Sequence, residues 1–165
     1  MTRIDLDQPL VASVLDRLLD DNPEVTRDPP KSRGQHLAEL RRSVRRDLEA
    51  LLNTRQRCIS WPSDLTELDH SLISYGIRDF ASMPLGTASQ REAFCRDIEA
   101  VIRRCEPRFV SVAVALLDGN ENIDRSMRFR IEALMYAEPA PEAIVFDSFV
   151  DSASREIKIG DVGGG

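Results

Sequence analysis

Apolar residues recur every three or four positions over two long stretches of the chain and then at every second position in its last third. From Gln35 to Thr54, Leu37, Leu40, Val44, Leu48, Leu51 and Leu52 trace one face of a helix, the longest helical signal present. From Thr87 to Cys105, Ala93, Phe94, Ile98, Val101, Ile102 and Cys105 make a second stripe, with Arg91, Arg96, Asp97, Arg103 and Arg104 outside it. Ser89 precedes Glu92 by three, which predicts a capping box at the start of that helix. A shorter amphipathic stretch, Pro9 to Asp21, places Leu10, Val14 and Leu18 on one side with Leu15 and Leu19 beside them. A helix of that length is marginal alone and needs a surface to dock on. Pro23, Pro29 and Pro30 make Asn22 to Arg33 a linker, so the first helix is either held away from the body or packed back on it.

Between the long helices, Pro62 bars helix continuation after Trp61, whose expected use is packing. Asp64 to His70 reads as a short helix capped by Ser63 or Asp64, and Gly76 suits a left-handed turn position. The last third reads as strands. Phe109 to Leu117 is apolar on both faces, the pattern of a central strand. Asp118 to Asn122 is a turn cluster, and then Met127, Phe129, Ile131, Ala133 and Met135 alternate with Arg128, Arg130 and Glu132. Pro139 and Pro141 break the chain before two further strands, Ile144 to Val150 and Arg155 to Ile159, whose short connection requires antiparallel neighbours. The expectation is an α+β fold: N-terminal helices, then a helix and a mainly antiparallel, meander-like sheet of four strands. Residues 34–160 would form one domain, preceded by a helix and linker (1–33) and followed by a frayed glycine tail (161–165).

Helix and sheet meet at Glu106-Pro107-Arg108. Proline has no amide donor and pushes the residue before it out of helical space, so the structure must change there. Two readings of the flanking charges stand. In one, Glu106 pairs with an arginine of its own chain and Arg108 spans the helix-to-sheet step. In the other, both are held by rigid elements and aimed at a partner, where a guanidinium fork and a carboxylate give orientation-specific pairing.

Charge adds a second candidate surface. The chain of 165 residues has formal net charge -6. Yet Lys31 to Arg57 holds eight basic against three acidic side chains, a local +5, which leaves -11 for the remainder. Arg41, Arg42, Arg45 and Arg46 are either a solvated helix face or a surface for an acidic partner. Overall acidity argues against a general binder of nucleic acid or anionic membrane. No apolar run reaches the roughly 20 residues of a membrane span. The start, MTRIDLDQPL, has neither a secretory apolar region nor an arginine-rich presequence. Cys58, Cys95 and Cys105 lack metal spacing and read as reduced thiols of a cytoplasmic protein.

Catalytic patterns are missing. Neither His36 nor His70 has a partner motif, and G-x-S-x-G, P-loop, H-E-x-x-H and Cys-x-x-Cys patterns are absent. A pair of carboxylates suited to glycoside hydrolysis arises by chance in so acidic a chain. The expectation is therefore a protein that is not an enzyme and has no cofactor or metal. Two alternatives stand beside it: a peptidoglycan hydrolase, resting on the acidic content, and a nucleic-acid-binding regulator using Arg41 to Arg57.

The segments SVLDRLLDD, SVRRDLEALLNTRQR, SLISYGIRDF and CEPRFVSVAV, in this order and spacing, resemble TssE, the baseplate wedge family of bacterial type VI secretion. That family is similar to the small wedge proteins of contractile-tailed phage baseplates, once labelled lysozyme-like. The resemblance runs from about Leu10 to Ile159, and the E-P-R tripeptide is the family signature. It implies a structural subunit in each wedge of a cytoplasmic baseplate at the inner membrane, held by TssF and TssG with TssK nearby. It further implies a start point for the contractile sheath of TssB and TssC, and a fold similar to the core of the sheath subunit. The strands between Ile144 and Ile159 are then the expected edge for strand pairing.

Overall fold

The computed structural model describes residues 14–19, 23–24, 31–80, 85–117, 127–137, 140–151 and 154–161. The elements are α1 (Val14–Leu18), α2 (Arg33–Asn53), α3 (Ala88–Cys105), β1 (Phe109–Leu116), β2 (Met127–Met135), β3 (Glu142–Val150) and β4 (Ile157–Asp161), with 3-10 turns at Thr66–His70 and Leu72–Ser74. The fold is α+β, as the change of period predicts. The four strands run in spatial order β1-β2-β3-β4, each antiparallel to the next. On β2 the alternation holds without exception: Met127, Phe129, Ile131, Ala133 and Met135 are buried. Register sets Ile131 opposite both Val114 and Phe146, and Ser148 opposite Ile159. One face of the sheet therefore meets the helices while Arg128 and Glu132 face solvent on the other.

α2 buries Leu40, Val44, Leu48, Leu51 and Leu52, with Leu37 half-buried, and α3 buries Phe94, Cys95, Ile98 and Ile102. The helices and the inner sheet face form one core. Ser32 opens α2 with a capping box in which its hydroxyl accepts from the Gln35 amide and the Gln35 side chain accepts from its own.

Four expectations are corrected. The capping box of α3 uses Thr87 and Gln90, two residues before the Ser89–Glu92 pair; both pairs have the spacing, and the helix begins at the earlier one. The expected short helix from Asp64 is a 3-10 turn that starts at Thr66, with Leu65 in the cap position and no side-chain cap bond. β1 is an edge strand, not a central one: Val110, Ala113 and Ala115 are apolar without being buried, and Ser111 is exposed beside them. Of the strands expected at the pairing edge, only β4 lies at an edge, since β3 pairs on both sides. Most of the expected linker and first helix, the turn Asp118 to Asn122, Pro139 and the tail from Val162 lie outside the described residues.

Gly76 fixes the return of the long connection between α2 and α3. Its φ is +99°, and a Cβ there would come within 2.5 Å of the Thr54 carbonyl oxygen. The close approach exists because Thr54 and Gln56 exchange backbone bonds with Ile77, the Ile77 amide giving to Thr54 and the Gln56 amide to the Ile77 carbonyl. Arg55 then stacks over Phe80, 4.2 Å from the ring centroid, and Phe80 packs on Phe94 of α3. Gly76→Ala should lower stability by more than about 2 kcal/mol in urea unfolding, from a left-handed backbone plus a clash with backbone atoms. Ser148 Oγ, buried on β3, has no hydrogen-bond partner among the described residues. Ser148→Ala should accordingly leave the urea midpoint unchanged or raise stability by up to about 1 kcal/mol.

Candidate functional site

α3 ends because Pro107 cannot continue it. Glu106 serves as the C-cap, its amide giving to the Ile102 carbonyl at 2.9 Å, and the chain turns directly into β1. The Arg108 carbonyl accepts from the Tyr136 amide at 2.8 Å, so the turn is also fastened to the end of β2. Glu106 is 6% exposed, a buried carboxylate that needs compensation.

Arg108 supplies it. Its Nε donates to Glu106 Oε1 at 2.7 Å and its Nη2 to Oε2 at 2.5 Å, a two-pronged fork, while its backbone amide reaches the same carboxylate at 3.1 Å. The guanidinium then extends to α2, where Nη2 donates to Asp47 Oδ2 at 2.7 Å and Nη1 to Ser43 Oγ at 3.4 Å. Asp47 also accepts from Arg46, and Arg46 Nη2 donates to Asp16 of α1 at 2.9 Å. Ser43 Oγ donates to the other oxygen of Asp16 at 2.6 Å. Ser43, Arg46 and Asp47 share one side of α2 because they are three and four residues apart. The result is a ring of Arg108, Asp47, Arg46 and Asp16 with alternating charge, closed by Ser43 and anchored by Glu106 at Arg108. It joins α1, α2 and the α3-to-β1 junction.

The Glu106 fork is the largest influence raising the Arg108 pKa above the ordinary arginine value, with Asp47 adding to it and burial opposing it. Hydrogen bonds to Asp16 and Asp47 raise that of Arg46. Burial, followed by the nearby Cys105, Asp47 and Glu106, raises that of Tyr75. All three groups keep their protons throughout the neutral range.

The ring settles where α1 sits but not in the way amphipathicity leads one to expect. α1 is held to α2 through its acidic residue, Asp16, and its apolar residues face outward. Val14 and Leu18 are 74% and 75% exposed, and Leu15 and Leu19 are exposed beside them. The arginines of α2 separate. Arg46 is in the ring, Arg41 is exposed with its guanidinium 3.4 Å from the Ala143 carbonyl, Arg42 is exposed and Arg45 is half-buried. Pro107 is exposed at the surface of the junction. Asp47, Asp16 and Ser43 were not singled out in the sequence. Asp47 and Arg108 lie 61 positions apart and Asp16 and Arg46 lie 30 apart, and no local pattern relates them.

A cavity of about 490 Å³ opens on another side of α3, between it and the connection, lined in part by Ile59, Trp61, Ile77, Phe94, Ile98 and Arg104. Trp61 lies at its wall, half-buried, and donates to Asp69 at 3.2 Å. Among the described residues no cluster of three or more His, Cys, Asp or Glu side chains is placed to hold a metal ion. Among them also, no helix is long and apolar enough to cross a membrane.

Because Glu106 is buried, removing its partner costs more than the pair contributes. Arg108→Ala should lose about 3–5 kcal/mol of stability. Arg108→Lys, lacking the fork that spans Glu106 and Asp47, should regain less than half of that, both read by urea unfolding.

The family described as baseplate wedge protein gp25 matches residues 38–140, more than half of the chain, and the match takes in most of α2, all of α3, β1 and β2, and the Glu106-Pro107-Arg108 junction. No curated protein matches the sequence significantly. The chain belongs to the baseplate wedge protein gp25 family, which is the family of TssE.

Proposed function

We propose that this family member acts as the wedge subunit of a type VI secretion baseplate, as TssE does, and that it links the wedge core to the contractile sheath and helps start sheath assembly. Its family membership supports a structural role in a baseplate. The observation that carries the finer reading is the orientation of α1. A short helix tethered by its one acidic residue, with four apolar side chains turned outward, is built to be covered by another protein. The E-P-R junction sets that helix in place, since Glu106 orients Arg108, Arg108 holds Asp47, and Asp47 and Arg46 hold Asp16.

In this reading the subunits that cover α1 are TssF and TssG, with TssK nearby, and no small-molecule substrate is involved. Glu106, Pro107 and Arg108 act on the partner through the position they impose and through the exposed surface of Pro107. Arg41, Arg42 and Arg45 offer positive charge to an acidic surface of the wedge. The sheath subunits TssB and TssC meet the sheet at the edge formed by β4, whose outward backbone groups are held by α2 side chains in the free subunit. Assembly on the cytoplasmic side of the inner membrane follows from that role. The two alternatives find no support in this geometry. Glu106, Asp47 and Asp16, the carboxylates brought together, are each engaged by arginine, and Arg46 of the basic helix is committed to them.

The test is co-purification from cells that carry the secretion apparatus, comparing the wild-type chain with Leu15→Ser/Leu18→Ser. Both side chains are exposed, so thermal unfolding should not move. Recovery of TssF and TssG should fall about tenfold or more, the loss expected when the burial of two leucines is forfeited. Equal recovery from the two proteins would rule out the α1 contact.

A further inference from the structure

Both edges of the sheet are occupied by helix side chains, and each by a pair spaced four residues apart. At β4, Asn53 of α2 accepts from the Ile157 amide at 2.8 Å and donates to the Ile157 carbonyl at 2.9 Å, and Glu49 accepts from the Ile159 amide at 3.0 Å. At β1, Glu99 of α3 accepts from the Val114 amide at 3.1 Å, and Arg103 donates to the Val112 carbonyl at 3.3 Å. Glu99 and Arg103 also pair with each other at 2.7 Å. Val112 and Val114 lie opposite Ala133 and Ile131 on β2, and the engaged groups are on the side of β1 that β2 does not use. These side chains do what a neighbouring strand would do.

The two guards differ. The β4 guard makes three bonds of 3.0 Å or less to a strand of five residues that carries Lys158. The β1 guard makes two longer bonds, and the Arg103 side chain is 65% exposed. β1 has a single register shift at its start, between Phe109 and Ser111, and beyond it carries neither charge nor proline, the other usual protections of an edge. Val110 is exposed at the irregular start of the strand, and beyond it the exposed side chains are the small ones of Ser111, Ala113 and Ala115.

We infer that β1 is a self-complementary pairing edge held shut by a Glu99–Arg103 latch, and that a second copy of this chain is the partner it takes when the latch opens. Two copies of β1 related by a two-fold axis pair antiparallel, and a charge-free strand meets its own image without repulsion. The latch keeps the free subunit from spending its edge on itself. This inference rests on the hydrogen bonds at the edge and not on the baseplate reading.

The experiment compares the full chain with Glu99→Ala/Arg103→Ala by sedimentation across a concentration series, with hydrogen exchange at the Val114 amide measured in parallel. The wild type should remain monomeric. The double variant should dimerise at least about tenfold more tightly. Its Val114 amide should exchange fast when dilute and slowly when concentrated. Arg103→Ala alone, a change at an exposed side chain, should shift association in the same direction by less. Adding Val114→Pro removes the outward donor while leaving the ladder to β2, and should abolish the dimer. A folded double variant that stays monomeric with a fast Val114 amide would overturn the inference, and so would association that survives Val114→Pro. A double variant that ignores its own kind but retains purified sheath subunits more strongly would overturn the second copy as occupant.

Discussion

The fork between Arg108 and Glu106 is the constraint from which the arrangement of helices follows. Proline at position 107 ends α3 at a carboxylate that the fold then buries, and a buried carboxylate is intolerable without a fixed counter-charge. Arginine two residues later answers it, because a planar guanidinium can grip Glu106 through Nε and Nη2 while Nη2 also donates to Asp47. The backbone geometry imposed by proline thus dictates where α2 must lie relative to the sheet. Hydrophobic burial makes α2 and the sheet associate, but burial is non-directional, and the ion pairs choose the angle.

Polar groups are distributed here according to what each layer needs. Among the described residues the core is almost wholly apolar, with Glu106 and three serines the buried exceptions. On the solvent face of the sheet, Arg130 and Asp147 pair across strands, which raises the pKa of Arg130 and lowers that of Asp147; in so exposed a position the pair guides register more than stability. The ring that includes Asp16 lies between these extremes. It is where a surface helix with little apolar contact to the body is kept in a defined place.

Much of the fold was legible in the chain. Six apolar positions on α2 and the strict alternation on β2 each specify an element and its inner face, since period and burial coincide there. β1 misled because valine and alanine on exposed positions, Val110, Ala113 and Ala115, resemble burial when only polarity is counted. The cap of α3 misled by two residues because Thr87-x-x-Gln90 and Ser89-x-x-Glu92 satisfy the same spacing. Of the candidate site, the sequence identified the E-P-R junction and Arg46 but not Asp47, Ser43 or Asp16. Those three are joined to it across many positions of chain by a fold that no local pattern encodes, and the outward turn of α1 depends on that closure too.

The bonds from α2 to β4 connect residues 104 and 110 positions apart, whereas each strand of the meander pairs with the next along the chain. Closing so long a loop is costly before other contacts exist, so the topology orders the folding reaction. α2 leaves the ribosome early with Leu40, Val44, Leu48 and Leu52 uncovered, and the surface that will cover them is finished only when the last strand has been made. Between those two moments the chain carries an exposed apolar helix and an incomplete sheet, and it is in that interval of synthesis, rather than as a finished subunit, that it most needs protection from other chains.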